Sequence, residues 1–449
     1  MRPRNTTSSV HPINKILLSF VALILAGALL LIMPVSTTKG ISFVDALFTS
    51  TSAVCVTGLI VLDTAGDFTL FGQAIILVLI QFGGLGIMTF SIALLSALSG
   101  SISIKWRFTF ESVYSDLRKL PIRKLLMQIV FYTFVIETAS AAVLFGQFIK
   151  TQTAPQAAWN ALFHAVSAFC NAGFSTYSDS LIGYHDNPIV VLVIATNIIM
   201  GGLGFLVLSE LTRTRFRSRR FLYQYSLHTR LVITLTAVFI VLGTVTFAAL
   251  EWHNALLDFP PVEKIINSFF QSVTCRTAGF NTVDIASLRE TTLFMMIFLM
   301  FTGGSPGSIA GGVKTTTMTV VWLLLVMKFR GRTQIVLCGR ALDADTVGKS
   351  TSLFIMALIF VSTSTFFLLL AGTPAAKNVF LSALFEVTSA FGTVGLSTGL
   401  TPGLTDTGKL LLCTVMYIGR LGPLTLISAL TTGKKQLDIS YPEEHIMIG

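Results

Sequence analysis

The stretch DALFTSTSAVCVTGL, residues 45–59, decides the reading of this chain, because the chain repeats its pattern three more times. The other copies are NALFHAVSAFCNAGF at 160–174, NSFFQSVTCRTAGF at 267–280 and SALFEVTSAFGTVGL at 382–396. A small polar residue of the kind that caps a helix opens each: Asp45, Asn160, Asn267 and Ser382. A phenylalanine follows three residues later (Phe48, Phe163, Phe270, Phe385), and a glycine closes the motif ten, ten, nine and ten residues beyond it (Gly58, Gly173, Gly279, Gly395). Agreement in register at this level is the signature of an internal repeat. Each copy predicts a short helix of two to three turns and then an extended, glycine-containing stretch.

The flanks say where these units sit. The 449 residues are 53% hydrophobic and 12% charged, with a mean hydropathy of +0.78. A soluble domain is about 25% charged, so an ordinary cytosolic globule is excluded, and the chain is far too apolar for disorder. Runs long enough to span a bilayer occur at 16–33, 71–98, 125–149, 189–208, 231–250, 291–327 (interrupted), 353–370 and 410–430. The first run is longer than the apolar core of a signal peptide. Most of the 31 Lys and Arg residues fall in loops 99–124, 209–230 and 328–349 or near the two ends. These charges lie between apolar runs and form no continuous face, which speaks against nucleic acid as a partner. By the positive-inside rule they mark the cytoplasmic side and put both termini there.

A short helix cannot cross a bilayer, so each copy must dip in and leave by the side it entered. Backbone at that depth is tolerated only where it is buried in protein or lines water. With two crossings per unit, all four units share one orientation. The expected fold is therefore an all-α integral membrane protein, with eight transmembrane helices in four parallel pseudo-repeats around one central pore. The repeats run 1–98, 125–210, 231–327 and 350–430, joined by basic cytoplasmic segments 99–124, 211–230 and 328–349 and followed by a tail, 431–449. Helices entering from outside turn their partly negative C-terminal ends toward mid-membrane, which favours a cation on the axis. The stretches that follow are Cys55-Val56-Thr57-Gly58, Cys170-Asn171-Ala172-Gly173, Arg276-Thr277-Ala278-Gly279 and Gly392-Thr393-Val394-Gly395. They carry no carboxylate and can offer main-chain carbonyls in place of an ion's hydration shell. Apart from Arg276 and Gly392, these residues are the candidate ion-binding filter, and no other metal site is expected.

About 25 residues beyond each glycine lies a small-residue cluster: 83–86, 201–204, 303–306 and 419–422. In the first two, close helix packing is sufficient reason for the glycines. The third continues as Gly303-Gly304-Ser305-Pro306-Gly307-Ser308-Ile309-Ala310-Gly311-Gly312, which a helix interior tolerates poorly. A phosphate loop fails there, because Val313 separates Gly312 from Lys314. A simple kink and a flexible gate beneath the filter both remain open. Arg420, in the fourth cluster, is either paired with a buried acid or placed at the pore beside the gate. Arg276 and Glu386 are expected to pair and brace the filter from behind. Glu137 is expected to bond a neighbouring helix and His164 to pack. Cys55 and Cys170 occupy equivalent positions, but Arg276 and Gly392 hold the other two, so no thiol metal site is expected.

These features together resemble the Ktr/Trk/HKT superfamily of K⁺ transporters. The likeness rests on the cores VTG, NAGFS, TAGFN and TVGLS with YIGRLGPLT in the last helix. It covers nearly the whole chain and is nearest to the bacterial Ktr membrane subunit (KtrB/KtrD type). The resemblance implies K⁺ uptake gated by the loop 303–312 together with Lys314 and Arg420, a homodimer, and a cytosolic ring of nucleotide-binding RCK subunits (KtrA/KtrC type). The tail from Tyr441 onward would lie at the dimer contact. In that superfamily a serine in place of the first glycine accompanies Na⁺ preference, and here the position is Gly58. Na⁺ as a second ion is left open, and no nucleotide is expected on this chain. The alternative is a cation-coupled secondary transporter with a midplane site on a broken helix. A membrane enzyme would need clustered His, Asp or Glu, and the six histidines are scattered.

Overall fold

The computed structural model describes residues 12–86, 122–213, 225–331, 335–337, 340–374 and 378–422. Most of loop 99–124, much of 211–230, the later part of the runs 71–98 and 410–430, and the tail 431–449 lie outside the described residues.

Local chemistry sets the helix starts. Helix α1 is Pro12–Leu31, and α2 is Phe43–Val54. Ser42 caps α2 by accepting from the Asp45 amide at 3.1 Å, and its hydroxyl donates to Oδ2 of Asp45 at 2.8 Å. Thr69 caps α3, Leu70–Leu85. Then follow α4, Ile122–Phe148, and α5, Ala154–Phe169 with a proline in its first turn. Asn187 caps α6, Pro188–Leu203, and α7 is Phe205–Arg213. Ser226 caps α8, Leu227–Glu251, and α9, Pro261–Thr274, opens on proline. Next come α10, Glu290–Phe301, and α11, Thr315–Phe329. Asp343 caps α12, Ala344–Leu370. The last two are α13, Val379–Gly392, and α14, Asp406–Leu421. Among the described residues, β structure comprises an antiparallel two-residue ladder, Val336–Leu337 (β1) on Arg340–Ala341 (β2), and the isolated bridges Thr37–Phe68 and Thr302–Val313.

The caps correct the sequence reading. Asp45 and Ser382 stand inside the first turns of α2 and α13, and Asn160 and Asn267 inside the second turns of α5 and α9, not before them. The four short helices run 12, 16, 14 and 14 residues, longer than the two to three turns expected. A second correction concerns the small-residue clusters. The run 189–208 is not one helix: Gly204 takes φ +93° between α6 and α7. Gly86 (φ +75°) and Gly422 (φ +79°) likewise end α3 and α14. Among the described residues a helix therefore ends at a positive-φ glycine in the first, second and fourth clusters as well, and the third unit does not hold the single interruption expected.

Among the described residues, three helices are long and apolar enough to cross a membrane: Met127–Phe148, Leu227–Glu251 and Ala344–Leu370. Their neighbours are shorter apolar helices. Large apolar side chains such as Phe131, Phe134, Val241, Val245, Phe366 and Phe367 face outward, a surface suited to hydrocarbon and not to water. The interior holds the hydroxyl-rich short helices, and the motif phenylalanines Phe48, Phe163, Phe270 and Phe385 are fully buried. Packing between elements follows a closed circuit, with α3 against α5, α6 against α9, α10 against α13 and α14 against α2. An ion pair at 2.6 Å between Lys409 of α14 and Asp45 of α2 lies on the closing edge.

Candidate functional site

The short helices α2, α5, α9 and α13 each deliver the chain into a turn of the same unusual backbone. Two residues in each stretch take positive φ, with one residue of negative φ between them: Val56 and Gly58, Asn171 and Gly173, Thr277 and Gly279, Thr393 and Gly395. The stretches are therefore not extended, as expected from sequence, but alternate in hand. Positive φ is rare for any residue with a Cβ and an outlier for a β-branched one. Val56 (φ 56°), Thr277 (67°) and Thr393 (49°) are all β-branched, so the surroundings must hold them in place.

The four stretches meet. A Cβ on Gly58 would stand 2.3 Å from the Ala172 carbonyl oxygen, and one on Gly173 would stand 2.6 Å from that of Ala278. A Cβ on Gly279 would lie 2.5 Å from the Val394 oxygen, and one on Gly395 would lie 2.2 Å from the Thr57 oxygen, which closes the circle. Four glycines and the carbonyls of Thr57, Ala172, Ala278 and Val394 thus alternate around a common line. Only a residue without Cβ allows strands of backbone this close. Outside the ring lies a cavity of about 320 Å³ lined by all four glycines and by Asp63, Asp179 and Asp284.

Sequence reasoning missed the hydroxyl behind each stretch. Ser52 Oγ accepts from the Gly58 amide at 3.0 Å, and Ser389 Oγ accepts from that of Gly395 at 3.1 Å. Ser167 Oγ donates to the Phe174 carbonyl at 2.8 Å, and Thr274 Oγ1 donates to that of Phe280 at 2.6 Å. The signal was present: a hydroxyl stands six, six, five and six residues before each glycine. Cys55 and Cys170 are the C-caps of α2 and α5.

The expected pair of Arg276 and Glu386 does not form. Arg276 Nη1 donates to the Thr236 carbonyl of α8 at 3.4 Å. Glu386 accepts from Ser397 Oγ (2.7 Å), the Thr398 amide (2.8 Å), Thr398 Oγ1 (3.1 Å) and Thr401 Oγ1 (2.6 Å). It therefore ties down the segment beyond Gly395. His164 plays a smaller version of this part, with Nε2 at 3.0 Å from Ser175 Oγ beyond Gly173. Glu137 accepts from Gln81 Nε2 at 3.4 Å, a contact between α4 and α3. A buried carboxylate that the sequence reading passed over, Glu251, accepts from the Arg289 amide at 3.0 Å and from Asn254 Nδ2 at 2.6 Å.

Residues 302–314 leave helical form between α10 and α11 and fold back as a closed loop. Gly303 N donates to Val313 O at 2.9 Å, and Thr315 N donates to Gly304 O at 3.1 Å. The loop is pinned from outside too. Ser305 N and Ile309 N each donate at 3.3 Å to the carbonyls of Gly202 and Gly201 at the end of α6. Lys314 Nζ donates to Ala310 O at 2.6 Å. Arg420 donates through Nη1 to Ile309 O and through Nη2 to Gly83 O, joining the loop to the end of α3. Gly311 packs on Gly392 and Thr393, which places the loop against the fourth stretch. Pro306, Gly307 and Ser308 form its partly exposed tip.

Comparison with known proteins adds ancestry to this geometry. A family model described as TrkH, cation transport protein, matches residues 3–435. The chain is 38% identical over 445 residues to the Ktr system potassium uptake protein B of Bacillus subtilis, covering 98% of this chain and 97% of that one. It is 36% identical to the protein of the same name from Vibrio alginolyticus, covering 97% and 94%. It is also 36% identical to the potassium/sodium uptake protein NtpJ of Enterococcus hirae, covering 98% of each. Its fold is similar to the crystal structure of the potassium transporter TrkH from Vibrio parahaemolyticus, with a TM-score of 0.74 over 96% of this chain and 87% of that one at 22% identity. These relatives are ion transporters, not enzymes. A match across nearly the whole sequence, on a fold that gathers the four glycine motifs, makes this chain a member of the TrkH cation transport protein family.

Proposed function

We propose that this chain is the membrane subunit of a K⁺ uptake system, with eight crossings in four parallel units around one pore. K⁺ sheds water in the ring formed by residues 55–58, 170–173, 277–279 and 393–395, where main-chain oxygens replace its hydration shell. The closed circle of glycines and carbonyls carries this reading. The cavity with Asp63, Asp179 and Asp284 is its outer vestibule, where carboxylates raise the local cation concentration. Residues 303–312, with Lys314 and Arg420, form the gate on the cytoplasmic side. Their hydrogen bonds to α3 and α6 hold it across the path, and the two cationic heads beside it oppose a cation until the loop moves.

The names of the relatives extend the proposal to partners. A Ktr system has more than one component, which fits a cytosolic RCK ring (KtrA/KtrC type) binding adenine nucleotides and docking on the basic loops, with the membrane subunit as a homodimer in the lipid bilayer. The name of the Enterococcus relative includes sodium, so Na⁺ is the second ion to test as stimulant or cargo.

Expression in a bacterium lacking K⁺ uptake tests the central claim. Growth at low K⁺ and saturable ⁸⁶Rb⁺ uptake are expected, and absence of both at normal membrane abundance would overturn it. In the same cells Arg420→Gln removes the guanidinium hold on Ile309 and Gly83. Hydrogen bonds to charged groups contribute about 1.5–3 kcal/mol, so uptake is expected to rise about tenfold and to lose dependence on the regulatory partner. Flux equal to that of the unmodified chain would remove Arg420 from the gate.

A further inference from the structure

The left-handed residue of each stretch needs something against its side chain. Val56 rests on α3, its Cγ2 standing 3.0 Å from where a Cβ on Gly83 would be. Asn171 rests on α6, with the end of its side-chain amide at 2.7 Å from the corresponding point on Gly201. Thr393 differs. Its side chain rests on the loop itself: a Cβ on Gly311 would stand 2.3 Å from Thr393 Oγ1, 3.0 Å from its Cγ2 and 3.0 Å from the Gly392 carbonyl oxygen. The matching helix glycine, Gly419, faces the Phe391 carbonyl, as Gly83 and Gly201 face those of Val54 and Phe169. Thr393 Oγ1 is buried without a hydrogen-bond partner, as are Ser305 Oγ and Thr315 Oγ1 around the same loop. A β-branched residue at φ 49° is held there by what covers it, and here the cover is the loop.

We infer that Thr393 is a positioning residue through which the loop at Gly311 sets the shape of the fourth filter stretch, so that ion selectivity changes with the state of the gate. This rests on the filter and gate reading above. With the loop in place, Thr393 keeps its left-handed turn and the Val394 carbonyl stays in the ring beside Gly279. When the loop withdraws, the cover goes, Thr393 is free to relax, and the three unmet hydroxyls gain access to water.

The test is ⁸⁶Rb⁺ uptake with competing Na⁺, in cells and in proteoliposomes of the full chain, at matched membrane abundance. Gly311→Ala is expected to lower the preference for Rb⁺ over Na⁺ roughly tenfold, and adding Thr393→Gly, which removes the struck side chain, is expected to restore most of it. Gly307→Ala strains the same loop at φ +73° with nothing within 4 Å, and should change rate alone. A second cycle avoids any steric insertion. Arg420→Gln should lower selectivity while raising flux in the unmodified chain, and should leave selectivity unaltered in a Thr393→Gly background. Unchanged selectivity in Gly311→Ala, or additive effects in the second cycle, would overturn the coupling. Gly58→Ser run in parallel separates the levels: if it too leaves selectivity intact, the filter reading fails, whereas if it alone changes selectivity, only the coupling fails.

Discussion

Gly58→Ala is expected to abolish the K⁺ preference of uptake, with ⁸⁶Rb⁺ flux becoming sensitive to Na⁺ at concentrations that leave the unmodified chain unaffected. Two effects act together. Gly58 has φ +90°, where an L side chain is strained by about 1–2 kcal/mol or more. The added Cβ would also lie 2.3 Å from the Ala172 oxygen and 3.1 Å from the Gly173 Cα. Both are backbone atoms, so no side chain can swing aside. The Ala172 carbonyl must rotate out of the ring, and one of its four oxygens is lost. A discrimination of 1.4 kcal/mol is a factor of ten, so removal of a single ligand suffices to erase selectivity of that order. The same change at Gly395, where the contact is 2.2 Å, should be as severe, and at Gly173, at 2.6 Å, somewhat milder. A second readout is the melting temperature of the purified protein. Bound ligand stabilises by RT ln(1 + [L]/Kd), so the rise with added K⁺ should shrink in the variants. Preserved selectivity in all three would leave the ring without a role.

How much of this was legible depended on whether neighbours in space were also neighbours in sequence. The four motifs announced themselves because a glycine forced by close backbone approach leaves an unambiguous mark at a fixed interval. The order in which the units close a circle left no such mark, since it is fixed by α14 packing on α2 across most of the chain. The misplaced caps have a plain cause. Asp45 is polar because it answers Ser42 and Lys409, not because it begins the helix. The Arg276–Glu386 pair was attractive on charge alone, yet helix geometry argued against it. The residue equivalent to Arg276 in the fourth copy is Gly392, six positions after Glu386. At 1.5 Å per residue that places the two charges about 9 Å apart along the direction of the short helices. Arg276 accordingly reaches α8 at the filter's inner end, and Glu386 reaches the segment leaving the filter. The helix ends at Gly86, Gly204 and Gly422 were hidden for the opposite reason: a leucine precedes each glycine and an apolar side chain follows within two residues, so the apolar run reads as continuous.

Glu386 is expected to be the side chain whose loss costs most outside the ring. Its carboxyl group, fully buried in α13, accepts four hydrogen bonds from Ser397, Thr398 and Thr401, all within six residues after Gly395. Glu386→Ala leaves the Thr398 amide and three hydroxyls without their acceptor. Each buried donor left unmet costs about 1–3 kcal/mol, against a total stability of about 5–15 kcal/mol for a typical fold. That variant should fail to accumulate in the membrane. Glu386→Gln is the informative one, because it keeps the shape. Its amide oxygen can still accept the three bonds from Ser397 and Thr398, while its NH₂ now faces Thr401, whose hydroxyl must turn from donating to accepting. The chain should therefore fold, melt a few degrees lower, and bind K⁺ more weakly as the segment after Gly395 loosens. A purely structural role would lower the melting temperature equally with and without K⁺. A role in holding the filter open to its ion predicts a loss concentrated in the K⁺-dependent part, together with a higher K⁺ concentration for half-maximal uptake. Equal losses in both conditions, with uptake unaltered, would reduce Glu386 to a buried brace with no bearing on the ion.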